Sequence, residues 1–188
     1  MSFKIEKTES APEGSRGILE GYQKKLGFVP NLMGVMAASP AVIEGYVALG
    51  TAFDKTSFTP AERQVVLLET SSVNGCTYCM AAHTAIAKMQ NIPDAVVNAI
   101  RSGETIADPK YEALRAFVRS TVETRGRPDA KTAAAFLGAG YTQTHILEIL
   151  LGVAMKTMSN YINHAAETPL DAAFSAARWV KKKAACCK

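Results

Sequence analysis

Helix start and stop signals recur along this whole sequence, and they constrain its fold more than any other feature. The run Thr59-Pro60-Ala61-Glu62 places a hydroxyl at a helix N-cap and a carboxylate three residues later, which is the capping-box pattern. Gly27 and Gly103 each follow an amphipathic stretch and predict helix ends. No segment alternates apolar and polar residues convincingly with the period of two typical of half-buried strands. The patterns predict an all-α fold with helices over about 13–26, 30–36, 40–53, 60–73, 76–89, 93–101, 109–124, 129–137, 142–165 and 169–180.

The size and composition of the chain fit one helical domain. Its 188 residues are 48% hydrophobic, which is enough to fill a core, and only 7% aromatic, which favours helices over sheets. We expect a single domain over residues 1–180, whose most diagnostic segment is 59–103, and a disordered lysine-rich tail over 181–188.

The net charge of +4 comes from that tail, because four of the 21 basic residues lie in the last eight positions. Without these four lysines the positive charges equal the 17 acidic ones, so no basic face for nucleic acid is predicted. The N-terminus lacks an apolar signal region, and no apolar stretch is long enough to cross a membrane. We therefore expect a cytoplasmic protein that binds neither nucleic acid nor membranes.

Two cysteines and a histidine follow a glycine break and share one face of the predicted fifth helix. Cys76 and Cys79 lie about one helical turn apart, and His83 follows Cys79 by about one more turn. Gly75 places Cys76 at or near the helix N-terminus, where free N–H groups and the helix dipole stabilise a thiolate. His83 could then serve as a base toward Cys79, or orient water and peroxide.

This pattern is typical of a thiol pair that cycles through a disulfide. A thiolate attacks one oxygen of a hydroperoxide and becomes a sulfenic acid, and the second cysteine condenses with it and releases water. Two alternatives stay open: a buried structural cluster, and a zinc site completed by His145, His164 or the tail cysteines Cys186 and Cys187. A thioredoxin-like fold is excluded because no βαβ pattern surrounds the motif.

Three segments of the sequence, 59–66, 74–79 and 82–83, resemble the AhpD alkylhydroperoxidase branch of the carboxymuconolactone decarboxylase family. The segment 27–31 looks like the peroxidase-related subgroup of that family. The resemblance implies an all-helical fold that assembles into homo-oligomers, either trimers or hexamers. It also implies hydroperoxide reduction in which Cys79 is the peroxidatic cysteine and Cys76 is the proton donor and resolving cysteine.

The sequence departs from the family pattern at two positions. Gln64 occupies the place of the family's relay glutamate, and an amide cannot carry a proton as a carboxylate does. Glu62 is the candidate substitute because it is the acid nearest in sequence, although the capping box gives it a structural role as well. Tyr78 stands between the cysteines, where AhpD carries a histidine, and this removes one candidate base.

The sequence therefore predicts a thiol peroxidase with Cys79, Cys76, His83 and Glu62 as its catalytic residues. The chemistry requires no cofactor and no metal, but it requires a hydroperoxide substrate and a dithiol or thiol-protein reductant. One alternative is a redox-sensing or scaffolding oligomer without turnover. A second is a carboxymuconolactone decarboxylase-like enzyme, although that reaction needs no redox cysteine pair. The role of Cys186 and Cys187 stays open.

Overall fold

The computed structural model describes residues 3–181, which form helices connected by short loops and contain no strand. Within residues 3–181, nine α-helices precede a closing 3₁₀ helix at Ala172–Ala177. The α-helices are α1 Glu13–Leu26, α2 Asn31–Met36, α3 Pro40–Phe53, α4 Pro60–Asn74, α5 Thr77–Met89, α6 Asp94–Ser102, α7 Pro109–Glu123, α8 Ala130–Gly138 and α9 Gln143–Ala166. The predicted all-α fold is confirmed, and most helix ends lie within a residue or two of the predicted positions. No helix of the described part is long and apolar enough to cross a membrane.

The predicted helix over 169–180 is wrong in part, because only the short 3₁₀ helix forms there. The backbone carbonyls of Ala177 and Arg178 accept hydrogen bonds from the Arg101 guanidinium at 3.1 and 3.0 Å. Trp179 donates its indole N–H to the Arg101 carbonyl at 2.8 Å. These backbone carbonyls therefore find their hydrogen-bond donors on α6, whereas in a longer helix they would accept from backbone N–H groups of the same helix. Of the predicted tail, Lys181 donates to the Val73 carbonyl, and 182–188 lie outside the described residues.

Helix α4 lies at the centre of the structure and packs against α5, α6, α7 and α9. One hydrophobic cluster joins α4 to α6, α7 and α8, and it includes the stacked rings of Phe117 and Phe136. A second cluster joins α1, α2 and α3 to the first turns of α5, and it contains Cys76 and Cys79. The cysteine motif therefore lies in a buried layer, next to the long helix α9.

Gly152 brings α9 into close contact with α3 and α4. A Cβ atom at this position would lie 2.6 Å from Phe53 Cε2 and 2.9 Å from Val66 Cγ1, which is closer than real side chains approach. Only glycine therefore allows the present separation of the three helices. Lys156 follows one turn later on α9, so the close packing at Gly152 also fixes how far Lys156 extends toward α5.

Candidate active site

The two cysteines lie at the junction between α4 and α5. Gly75 ends α4 in the left-handed conformation with φ of 71°, and Cys76 follows as the N-cap of α5 with extended backbone. The Cys76 sulfur accepts a hydrogen bond from the Cys79 backbone N–H at 3.4 Å, so the thiol performs the role that a serine hydroxyl usually performs in a helix cap. Both thiols are free and buried. The predicted location at a helix N-terminus is confirmed.

Helix α9 covers Cys79 with polar side chains that sequence analysis did not select. Asn163 donates its amide N–H to Cys79 Sγ at 3.3 Å, and Ser159 Oγ lies 3.8 Å from the same sulfur. Lys156 lies one turn before Ser159 and is only 1% exposed. The three residues share one face of α9 with buried Ile149. The sequence did carry a signal for these residues: polar side chains recur at helical spacing on the α9 face that Ile149 begins as an apolar face.

The surroundings of the two thiols favour a thiolate on Cys79 and a thiol on Cys76. The hydrogen bond from Cys76, the positive charge of Lys156 and the Ser159 hydroxyl hold the pKa of Cys79 well below its ordinary value, although burial opposes them. The hydrogen bond to Cys79 and burial raise the pKa of Cys76. The proton between the two sulfurs therefore stays on Cys76.

His83 contacts Lys156 and Gln64, and neither cysteine is its hydrogen-bond partner among the described residues. Its Nε2 atom lies 3.0 Å from Lys156 Nζ, and its Nδ1 atom lies 3.1 Å from Gln64 Oε1. Because an ammonium group only donates, Nε2 accepts and the ring proton resides on Nδ1, which donates to Gln64. Burial and the nearby Lys156 charge lower the pKa of His83 strongly, which agrees with a neutral ring.

The structure separates Gln64 and Glu62, the two residues considered for the relay position. Gln64 contacts His83 and donates its own amide N–H to Gln90 Oε1 at 3.1 Å. Glu62 instead completes the predicted capping box with Thr59, and its other partners are Tyr141 and Lys110. The structure therefore brings Cys76, Cys79 and His83 together, but it does not bring Glu62 to them.

Tyr78, the second departure from the family pattern, forms its side-chain hydrogen bonds with residues other than the two cysteines. Its hydroxyl donates to the Asp171 carboxylate and accepts the Leu32 backbone N–H at 3.3 Å. Burial and the hydrogen bond to Asp171 raise the pKa of Tyr78. The residue therefore attaches α5 to α2 and to the closing segment rather than offering a base.

A cavity of about 450 Å³ lies over the site, and Cys79, His83 and Lys156 are among its lining residues. Most of the other walls are apolar and come from α1, the loop after it, α2, α5 and the 3₁₀ helix. They include Leu26, Phe28, Leu32, Met33, Ile86 and Phe174. The remaining polar lining residues are Tyr22, Tyr46, Tyr78 and Lys25. The cavity can enclose a mainly apolar molecule of moderate size. Among residues 3–181, no group of three or more His, Cys, Asp or Glu side chains is placed to hold a metal ion.

Comparison with known proteins agrees with this architecture. Residues 40–120, which include the motif, match the model of the carboxymuconolactone decarboxylase family. The structure of an uncharacterized peroxidase-related protein with an alkylhydroperoxidase AhpD core, from Ralstonia eutropha JMP134, aligns with a TM-score of 0.82 at 22% identity, covering 92% of this chain and 93% of that one. The apo debrominase Bmp8 aligns with a TM-score of 0.78 at 19% identity, covering 94% and 95%. A peroxidase-related protein from Silicibacter sp. TM1040 gives 0.77 at 18% identity, covering 87% and 88%.

The fold and the motif define an all-helical protein with an AhpD-like architecture and a buried cysteine pair. A segment that matches the carboxymuconolactone decarboxylase family spans residues 40–120, and AhpD-like proteins are structural neighbours of the chain. No curated protein sequence matches the chain.

Proposed function

We propose that the protein is a thiol-dependent hydroperoxide reductase in which Cys79 attacks the peroxide and Cys76 resolves the product. The observation that carries this proposal is the position of Cys79 at the cavity wall, with the Asn163 amide at 3.3 Å and the buried Lys156 charge beside it. These groups favour a thiolate, which is the nucleophilic form of cysteine. Cys76 keeps its proton and lies one turn away, as a resolving thiol requires.

The reaction balances with the two cysteines and one hydroperoxide. The Cys79 thiolate attacks the terminal peroxide oxygen, the O–O bond breaks, and the alkoxide that leaves takes up a proton to become an alcohol. Cys79 is now a sulfenic acid. The Cys76 sulfur then attacks the Cys79 sulfur, the Cys76 proton leaves with the hydroxyl group as water, and a disulfide forms. An external dithiol or thiol protein supplies two electrons and reopens the disulfide.

Reductive dehalogenation is a second candidate, because the cavity is larger and more apolar than a small peroxide needs and the debrominase Bmp8 has a similar fold. In this reaction the Cys79 sulfur takes the halogen from an aromatic carbon, and that carbon takes up a proton. Cys76 then displaces halide as the disulfide forms. The electron count equals that of peroxide reduction, so only the substrate distinguishes the two reactions.

The test uses a background in which Cys186→Ser and Cys187→Ser leave only the two buried thiols. We expect one equivalent of an organic hydroperoxide to form a Cys76–Cys79 disulfide, detected by mass spectrometry, and a dithiol to sustain repeated turnover. Cys79→Ser should abolish both reactions. Cys76→Ser should stop at a Cys79 sulfenic acid, which a trapping reagent detects.

The remaining hypotheses give different results in the same assay. A redox sensor would form the disulfide once and would not turn over with a dithiol. A decarboxylase-like enzyme would act on a lactone acid even after both cysteines are replaced. A dehalogenase would leave hydroperoxides unreacted and release halide from a halogenated aromatic compound in proportion to dithiol consumed. Thiols that react with neither substrate would overturn both thiol mechanisms.

A further inference from the structure

Lys156 is a buried ammonium group that forms no ion pair with a carboxylate in the described part of the chain. Its hydrogen-bond partner is the neutral His83 ring at 3.0 Å. The titratable groups that face it are Cys79 and His83 from α5, the α5 N-cap Cys76, and Tyr46 from α3. A buried cation needs a negative partner, and only a thiolate of the cysteine pair offers that charge without a costly phenolate.

We propose that Lys156 is the general acid of peroxide reduction: it protonates the oxygen that leaves when the O–O bond breaks, and it stays uncharged while the pair is oxidised. This inference rests on the proposed function. When the Cys79 thiolate becomes a sulfenic acid, its negative charge passes to the leaving alkoxide. Lys156 then loses its counter-charge at the moment when the alkoxide needs a proton, and both groups become neutral by one transfer.

Every proton in the reaction can be followed from one group to another. In the first step, the hydroperoxide reacts with the Cys79 thiolate and the Lys156 ammonium group. The products are Cys79 sulfenic acid, neutral Lys156 and an alcohol. The sulfenic acid and the Cys76 thiol then give a disulfide and water. Reduction by a dithiol restores the Cys79 thiolate, and Lys156 recovers its proton from the two released by that dithiol. Formation of the disulfide from the reduced protein therefore takes up no proton from solvent.

The neighbouring groups are less suited to this role. His83 Nε2 accepts from Lys156, and the ring proton on Nδ1 is donated to Gln64, so the ring presents no free proton to the cavity. The Cys76 proton is needed in the second step. Lys156 lines the cavity together with Cys79, so its ammonium group is available to a substrate bound there.

Lys156→Arg separates the charge of this residue from its acidity, since a guanidinium stabilises the thiolate but holds its proton. In the background without Cys186 and Cys187, stopped-flow kinetics would compare a peracid with a tertiary alkyl hydroperoxide. The peracid releases a carboxylate and needs no acid, whereas the hydroperoxide releases a strongly basic alkoxide. We expect Lys156→Arg to slow the alkyl hydroperoxide on the order of 10²-fold relative to the peracid. Lys88→Arg, on the exposed side of α5, is the matched control and should leave the ratio unchanged.

A ratio that stays at the wild-type value in Lys156→Arg would overturn the inference while leaving the proposed function intact. A wild-type protein that reacts with neither oxidant would overturn the proposed function itself. If the arginine variant does not fold, the proposal is tested on the wild-type protein instead. A pH indicator then measures proton uptake during oxidation by hydrogen peroxide. No uptake per disulfide supports the proposal, and uptake of one proton per disulfide refutes it.

Discussion

Replacing Asn163 by aspartate tests whether Cys79 is a thiolate held by α9. The substitution keeps the shape of the side chain but exchanges the N–H that donates to Cys79 Sγ at 3.3 Å for a carboxylate oxygen. The lost hydrogen bond to a charged group is worth about 1.5–3 kcal/mol, which corresponds to roughly one to two pKa units. Repulsion between two charges at that separation adds up to roughly 5 kcal/mol at an effective dielectric constant of about 20. The amide oxygen, Asn163 Oδ1, has no hydrogen-bond partner in residues 3–181, so the new carboxylate gains no donor there.

We therefore expect Asn163→Asp to raise the pKa of Cys79 by at least about two units, because part of the repulsion is relieved when Lys156 turns toward the new charge. The assay is the absorbance of the thiolate near 240 nm as a function of pH, in the background without Cys186 and Cys187. The second-order rate with a hydroperoxide at neutral pH should fall in parallel. Asn98→Asp on the exposed face of α6 is the control and should change neither quantity. A Cys79 pKa that stays within about half a unit of wild type would refute the reasoning, since a charged neighbour cannot leave a thiolate unaffected.

Four further predictions follow from the structure. The pKa of Cys79 is lowered, so its oxidation rate should stay level as the pH falls below about 8.5, the pKa of a free thiol. The rate should decline only near the lower pKa that Cys79 has in the folded protein. A decline that starts at about pH 8.5 in rapid-mixing experiments would contradict this prediction. Gly152→Ala should lower the free energy of unfolding by up to about 2 kcal/mol in urea titrations, because overpacking costs roughly 1–3 kcal/mol and the helix propensity of alanine returns less than about 1. Gly45→Ala, in open space on α3, should instead stabilise the protein slightly, and equal effects at the two glycines would refute the packing argument. Glu62→Ala should cost about 1–2 kcal/mol of stability through the lost cap and leave peroxide turnover within about threefold of wild type, whereas a loss of turnover in folded protein would restore Glu62 as a relay. Light scattering should find that the protein is a trimer or hexamer. Leu147 is 69% exposed on α9, and Leu147→Glu should reduce the mass of the assembly. A monomeric wild-type protein would contradict the oligomer prediction.

The sequence by itself determined helices α1 to α9 and the first half of the site. Caps and glycines act on their immediate neighbours, so the capping box at Thr59 and the break at Gly75 could be identified without knowing the fold. Cys76, Cys79 and His83 lie within eight residues of one chain segment, and helical geometry alone places them on one face. The closing segment was mispredicted because its carbonyl groups find donors on α6, which no local pattern reveals.

The tertiary structure decided which groups control the chemistry of the cysteines. Lys156 and Asn163 are about 80 residues from Cys79, and they reach it only because Gly152 lets α9 approach α3 and α4. Gln64 and Glu62 differ by two positions, so they project from different sides of α4, one toward His83 and the other into the helix cap. Helix periodicity could separate their faces but could not say which face meets α5, because that depends on how whole helices bury their apolar surfaces against one another.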